Sequence, residues 1–227
     1  MRVAEVFYSM QGEGVTAGTP AVFIRLAGCN LRCRFCDTKY AWSGGREVTV
    51  DELVGEVLKY EEEIRRRAHI VITGGEPLLQ QEALRELVFK LIRYFNTLLP
   101  IEVETNGTVT PSPFFFDYAV QFNVSPKLSN SGVPAEERIN RQALAKLASG
   151  PYTTFKFAVA SEDDVRELLS DYQFLIAMVE PERWRIMLMP LAATREEYLR
   201  VAPEVAKLAI KYGFRFSPRL QVELGLR

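Results

Sequence analysis

The strongest constraint on the fold is an alternation. Short apolar runs at residues 21–27, 69–73, 101–105, 119–124, 153–159 and 184–189 are separated mostly by stretches of helical periodicity. Runs of this length read as buried strands and the stretches between them as crossover helices. That pattern specifies a parallel sheet covered by helices, either open or curled into a barrel. Helices are expected from Thr49 or Asp51 to about Arg67, and over about 80–97, 135–148, 161–171 and 194–212. In the first, Leu53, Val57 and Ile64 share an inner face. Glu61, Glu62 and Glu63 each stand four residues before Arg65, Arg66 and Arg67, the favourable order for helix ion pairs. A further alternating strand covers residues 2–9, and Gln11-Gly12-Glu13-Gly14 follows as a turn. No linker, low-complexity tract or short-period repeat interrupts the 227 residues, so one domain over 1–227 is expected.

The polar motifs gather at one end of these strands. A cysteine-rich stretch follows the first and Gly74-Gly75-Glu76-Pro77 the second. Glu104-Thr105-Asn106-Gly107 closes the third, Ser125-Pro126-Lys127 follows the fourth, and Met189-Pro190 ends the sixth. In parallel α/β folds the carboxyl ends of the strands carry the ligand site, so all these motifs are expected to face one site.

All three cysteines lie in the eight residues Cys29-Asn30-Leu31-Arg32-Cys33-Arg34-Phe35-Cys36, in a chain with one histidine. An odd, scarce cysteine set suits a reducing cytoplasm rather than a disulfide scaffold. Structural zinc takes four protein ligands. The only histidine, His69, begins the second strand and so falls at the far end of the sheet, which leaves Asp37 as the one conceivable fourth ligand. Thiolates at these spacings also suit a 4Fe–4S cluster, with one iron left for a ligand that is not cysteine. The rest of the composition is unremarkable for a globular chain: 48% hydrophobic, 25% charged, formal net charge −1. Such a balance creates no global field toward nucleic acid or a membrane. The first residues lack the features of a signal or transit peptide, and no apolar run is long enough to span a bilayer. A cytoplasmic protein is expected.

The Cys29-x3-Cys33-x-Phe35-Cys36 pattern resembles the signature of radical S-adenosylmethionine (SAM) enzymes, and Gly74-Gly75-Glu76-Pro77 resembles their GGEP motif. The resemblance implies a modified partial (β/α)6 barrel with the cluster at the carboxyl ends of the strands. It also implies that SAM chelates the fourth iron and that an electron cleaves it to methionine and a 5′-deoxyadenosyl radical. A flavodoxin- or ferredoxin-type protein would supply the electron. The GGEP backbone would hold the methionine amino group, where glycine leaves room for the ligand.

The flanks narrow the resemblance. Gln11-Gly12-Glu13-Gly14, residues 23–30, Cys36-Asp37-Thr38, residues 104–108 and Ser125-Pro126-Lys127 are similar to the 7-carboxy-7-deazaguanine synthase family, over most of the chain to about residue 127. The implied reaction is ring contraction of 6-carboxy-5,6,7,8-tetrahydropterin with loss of ammonia, assisted by Mg2+ and begun by hydrogen abstraction at C6. By the same resemblance, Cys29, Cys33 and Cys36 hold the cluster and Thr38 gives Mg2+ a hydroxyl oxygen. Phe35, Cys36, Asp37, Gly75, Glu76, Ser125, Pro126 and Lys127 form the SAM site, with Met189 and Pro190 as further candidates. Met10, Gln11, Gly12, Glu13, Arg25 and Thr73 would bind the pterin. The residue types suit these roles: amide and carboxylate groups can read a donor/acceptor edge, and a guanidinium suits a carboxylate. A homodimer is also implied. One departure stands out, since Gln221 occupies the position of a histidine common in the family's C-terminal stretch. An amide can replace an imidazole as a hydrogen-bond partner but not as a proton shuttle. Two other readings compete, a glycyl-radical-enzyme activase and, from another class, a zinc-stabilised binding module.

Overall fold

The computed structural model describes residues 1–180 and 182–226. Its centre is one sheet in the order β3-β1-β2-β4-β5-β6-β7-β8-β9. These strands are β1 (Arg2–Met10), β2 (Pro20–Leu26), β3 (Arg46–Glu47), β4 (His69–Gly74), β5 (Ile101–Thr105), β6 (Gln121–Val124), β7 (Thr153–Val159), β8 (Ile186–Pro190) and β9 (Arg215–Phe216). From β2 to β9 every neighbour pairs in parallel, whereas β1 runs antiparallel to β2 and β3. The six expected parallel strands are β2 and β4 to β8, in chain order across the sheet. This is the arrangement of a partial (β/α)6 barrel. β7 and β8 are buried at every position, as strands covered on both faces must be; β8 reads as a continuous apolar run, and Lys156 is the one charge in β7.

The helices are α1 (Val50–Val57), α2 (Glu61–Arg65), α3 (Gln81–Phe95), α4 (Phe114–Asp117), α5 (Ala135–Arg138), α6 (Arg141–Ala148), α7 (Glu162–Asp171), α8 (Gln173–Val179), α9 (Arg195–Tyr212) and α10 (Leu220–Leu224). Thr49, Ser161 and Thr194 open α1, α7 and α9 with reciprocal capping boxes, so these starts follow directly from local chemistry. The single helix expected to about Arg67 is instead α1, a 3-10 turn at Leu58–Tyr60, and α2. Leu53, Val57 and Ile64 are buried as expected. Glu61 and Glu62 pair with Arg65 and Arg66, but Arg67 leaves the helix with a φ of 72°. The stretch 135–148 likewise splits, because Ile139 turns extended after α5 and Asn140 caps α6. The fourth expected strand begins later, at Gln121, since Ala119 adopts a left-handed φ of 54°. Five elements among the described residues were not expected: β3, β9, α4 and α10 are too short to show a period, and α8 is a nearly uniform apolar run with no polar face to mark it. The largest core cluster runs between the sheet and its helices, from Val22 and Ile24 through Phe122 and Phe155 to Leu188 and Val205. No helix among the described residues is long and apolar enough to cross a membrane.

Candidate active site

Parallel pairing brings the carboxyl end of each strand to one rim. There a single cavity is lined by Cys29, Cys33, Phe35, Cys36, Asp37 and Thr38, by Met10 to Glu13, and by Arg25, Thr73, Gly75, Ser125, Lys127 and Met189. Three candidates stand off its wall: Glu76, Pro126 and Pro190.

The GGEP turn is built around the strand that feeds the cysteine loop. Gly75 N–H donates to Leu26 O at 3.1 Å and Glu76 N–H to Gly28 O at 2.8 Å. A Cβ on Gly75 would sit 2.0 Å from Gly28 O, and one on Gly74 2.1 Å from Leu26 O. Backbone packing between two adjacent loops therefore accounts for both glycines. The expectation that they clear space for a ligand names a reason the packing alone already supplies. Glu76 is wholly buried, and its carboxylate accepts from Leu78 N–H (3.0 Å), Thr105 Oγ1 (2.7 Å) and Asn106 N–H (2.7 Å). Burial pushes this carboxyl up, against those three hydrogen bonds. The side chain ties the β4 turn to the end of β5.

Beneath the cysteines lies a row of polar side chains. Register sets Glu5 opposite Arg25 and Arg25 opposite Thr73. Arg25 Nε donates to Glu5 Oε1 at 2.9 Å, and its guanidinium lies over the Phe7 ring. The lone charge in the apolar run of β2 thus has a partner on the antiparallel strand. Thr73 Oγ1 donates to Glu104 Oε2 at 2.7 Å, and Gln11 Nε2 to Glu104 Oε1 at 3.2 Å. Gln11 is also close to buried Glu102, which accepts from Asn123 Nδ2 (2.7 Å) and Thr16 Oγ1 (2.9 Å) and pairs with His69. His69 is half-buried at the start of β4, away from the cysteines, as its position in the run indicated. Beyond the end of β6, Lys127 Nζ donates to Ser125 Oγ at 2.8 Å.

The third group had only a partial sequence signal. Glu13 is salt-bridged to Lys156, meets Arg219 Nε at 3.0 Å and accepts from Gln221 Nε2 at 2.6 Å. Arg219 also holds Asp37 Oδ2 at 2.7 Å, joining the tail to the cysteine loop. Lys156 could have been found by the signal that marked Arg25, a single charge inside an apolar strand. Arg219 carried no such signal, because only tertiary folding brings it across the cavity from α10. Gly12 would meet Gln221 Oε1 at 1.9 Å if it had a Cβ, so the tail packs directly on the Gln11–Gly14 turn.

Burial alone would raise the Glu13 carboxyl, but Lys156 and Arg219 hold it down from an ordinary 4.5 to about 2. A carboxyl depressed on folding stabilises the protein above its unfolded pKa and loses that stabilisation as pH falls. The loss spans pH about 4.5 to about 2 and, at about 1.4 kcal/mol per pH unit, amounts to on the order of 3 kcal/mol. The stability difference between wild type and Glu13→Gln should therefore be constant above pH ~5 and shrink through that window. Urea unfolding at stepped pH measures it, and a difference unchanged down to pH ~2.5 would contradict the charge network.

Residues 23–119 match the Radical SAM superfamily model. The chain is 42% identical to the 7-carboxy-7-deazaguanine synthase of Pyrobaculum aerophilum, over 98% of this chain and 93% of that one. The chain belongs to the 7-carboxy-7-deazaguanine synthase family. It is also 42% identical to the synthase of Hyperthermus butylicus, over 100% of this chain and 93% of the relative. The crystal structure of QueE from Escherichia coli superposes with a TM-score of 0.67 at 27% identity, covering 95% of this chain and 92% of that one.

Radical SAM membership implies a 4Fe–4S cluster and SAM, and the family's donor set fits. Cys33 is buried, Cys29 and Cys36 are half-buried, and all three are free thiols packed with Leu31, Phe35 and Val133. Burial pushes the Cys29 and Cys33 thiols up, so a bound cluster must supply the charge that keeps them thiolate. Asp37, the conceivable fourth zinc ligand, is engaged by Arg219, which does not suit structural zinc.

Proposed function

We propose that this chain, acting as one domain, converts 6-carboxy-5,6,7,8-tetrahydropterin to 7-carboxy-7-deazaguanine with release of ammonia. The observation that carries the reading is the row Gln11, Glu104, Thr73 and Arg25 on the wall of the same cavity as Cys29, Cys33 and Cys36. When bound, the cluster and SAM supply a 5′-deoxyadenosyl radical for hydrogen abstraction at C6. The protein's part is to orient the substrate. Gln11 and Glu13, with the Gly12 backbone, would read the donor/acceptor edge of the pterin. Arg25, tethered through Nε to Glu5, would meet its carboxylate. Thr73 and Glu104 are already paired and so are held for contact with the ring. Met10 would close the apolar side. Phe35, Cys36, Asp37, Gly75, Ser125, Pro126 and Lys127 would frame SAM, with Glu76 shaping that frame from behind. Anaerobic incubation with SAM, dithionite, Mg2+ and the carboxytetrahydropterin should give the deazaguanine acid by mass spectrometry, with ammonia. SAM cleavage without that product would point to an activase or another substrate.

Mg2+ belongs to this reading through Thr38, whose Oγ1 lies on the cavity wall 3.6 Å from Cys36 Sγ. A hard cation that keeps most of its waters needs few protein oxygens once the substrate carboxylate joins it. Thr38→Ala should raise the Mg2+ concentration for half-maximal rate about tenfold while the visible spectrum of the cluster stays unchanged. An unaltered Mg2+ response would remove Thr38 from the site. A cytoplasmic homodimer that uses neither nucleic acid nor membrane completes the proposal. The net charge of −1 supports the second point and family resemblance the first.

A further inference from the structure

Pairing between β1 and β2 is irregular at one point. Val3 lies opposite Leu26 and Glu5 opposite Arg25, so Ala4 is one residue more than β2 can match. Such a bulge reverses the alternation of faces along a strand. Val3 belongs to the main core and Val6 packs against it, although an unbroken strand would put residues three apart on opposite faces. Glu5 and Phe7 therefore fall on the other face, where Phe7 joins Phe23 on the cavity wall. Were the register of Val3 with Leu26 simply continued, Glu5 would lie opposite Ile24 and face the apolar core.

On the cavity face, Glu5 Oε1 accepts from Arg25 Nε at 2.9 Å and from the Tyr40 hydroxyl at 2.7 Å. The Arg25 guanidinium also lies over the Phe7 ring, 5.7 Å from its centre, and Phe7 is stacked on Phe23. With Nε given to Glu5 and one face covered by Phe7, Arg25 has its Nη nitrogens to offer the cavity it lines. That end of the fork matches a carboxylate by two parallel hydrogen bonds. Tyr40 lies in the 3-10 turn Lys39–Ala41 that follows Thr38, and Gly28 N–H fastens this turn by donating to Ala41 O at 2.8 Å. One carboxylate oxygen thus ties β2 to the turn that carries Thr38.

We propose that Glu5 and Tyr40 are positioning residues that set the Arg25 fork for a substrate carboxylate, so that the site selects a carboxylated pterin over the same ring without that group. The proposal rests on the reading that Arg25 meets the pterin carboxylate. An untethered arginine gives up rotamer freedom when its ligand binds, whereas Arg25 has already lost that freedom on folding. What Glu5 supplies is the position of an acceptor rather than its charge. Glu5→Gln therefore keeps the device through its amide oxygen, and Glu5→Ala removes it. Tyr40 in turn holds the Glu5 carboxylate from the side opposite the strand pair, with a phenol that stays a donor at neutral pH.

The test is anaerobic calorimetry on the reconstituted, SAM-loaded protein without reductant, using 6-carboxy-5,6,7,8-tetrahydropterin and 5,6,7,8-tetrahydropterin as the two ligands. Wild type should bind the carboxylated ligand more tightly by about tenfold or more. Glu5→Ala should weaken that ligand about tenfold and leave the unsubstituted one unchanged. Glu5→Gln should bind both within about threefold of wild type. Tyr40→Phe alters a side chain that is 57% exposed and so threatens the fold little. It should weaken only the carboxylated ligand, by about threefold. Equal weakening of both ligands by Glu5→Ala would reveal a deformed site and overturn the proposal. So would a Glu5→Gln protein as weak as Glu5→Ala, or a Tyr40→Phe protein indistinguishable from wild type. A wild type that binds both ligands equally would remove the Arg25 reading and the proposal with it. Selective binding by wild type with no deazaguanine product on adding reductant would instead count against the proposed reaction and leave the positioning residues standing.

Discussion

Cys33→Ala is expected to yield colourless protein with no SAM cleavage under any reductant. Three thiols are all the chain offers a cluster, and every one lies in the same loop, so no other cysteine can replace a lost ligand. The fold should survive. Cys33 packs only in a small cluster with Leu31 and Val133, apart from the main core. Losing one sulfur there costs about 1 kcal/mol, comparable to trimming a buried methyl group. Far-UV circular dichroism and the melting temperature of the apoprotein should stay close to those of wild-type apoprotein. Iron analysis and visible absorbance after anaerobic reconstitution decide the point. A brown Cys33→Ala protein that still cleaves SAM would refute three-cysteine ligation.

The second large effect lies across the cavity. Lys156→Met should lower stability by about 3 kcal/mol and turnover at least 100-fold. The lysine is 4% exposed and salt-bridged to Glu13, and its removal leaves a buried carboxylate with Arg219 and Gln221 alone. Breaking a buried pair from one side costs more than removing both partners, because the survivor keeps its desolvation penalty. Glu13→Gln/Lys156→Met should therefore recover most of the lost stability, a coupling that a double-mutant cycle measures directly. Turnover should not recover with it, because Glu13 lines the cavity and its carboxylate is proposed to read the substrate. A double variant that regains both stability and turnover would reduce Glu13 to a structural residue.

Much of this was legible before folding, and for definable reasons. The parallel strands announced themselves as short, largely apolar runs because both their faces are covered; β8 is apolar throughout, and β7 is apolar apart from two threonines and Lys156. Starts of α1, α7 and α9 were legible because a capping box is a four-residue device. Helix ends were less so. Arg67 and Ile139 end helices through backbone conformation, and Asn140 opens the next by capping, none of which periodicity registers. Arg25 was legible as an anomaly, a charge in an apolar run. Its partner Glu5 was not, since strand register alone sets them face to face.

The same division runs through the site. Sequence by itself determined the ligand chemistry: three thiols at Cys29, Cys33 and Cys36, a glycine pair after the next strand, and polar residues at the end of each run. These are local facts, carried by residue type and spacing. Tertiary structure decided the electrostatics. Glu13 is held ionised by Lys156 and Arg219, 143 and 206 residues away along the chain. Asp37 is held by an arginine 182 residues distant. Gly74 and Gly75 are required by the carbonyls of Leu26 and Gly28, which only the parallel pairing of β2 with β4 brings into contact. Coulomb energy and steric exclusion depend on distance in space, and for these pairs no spacing along the chain encodes it.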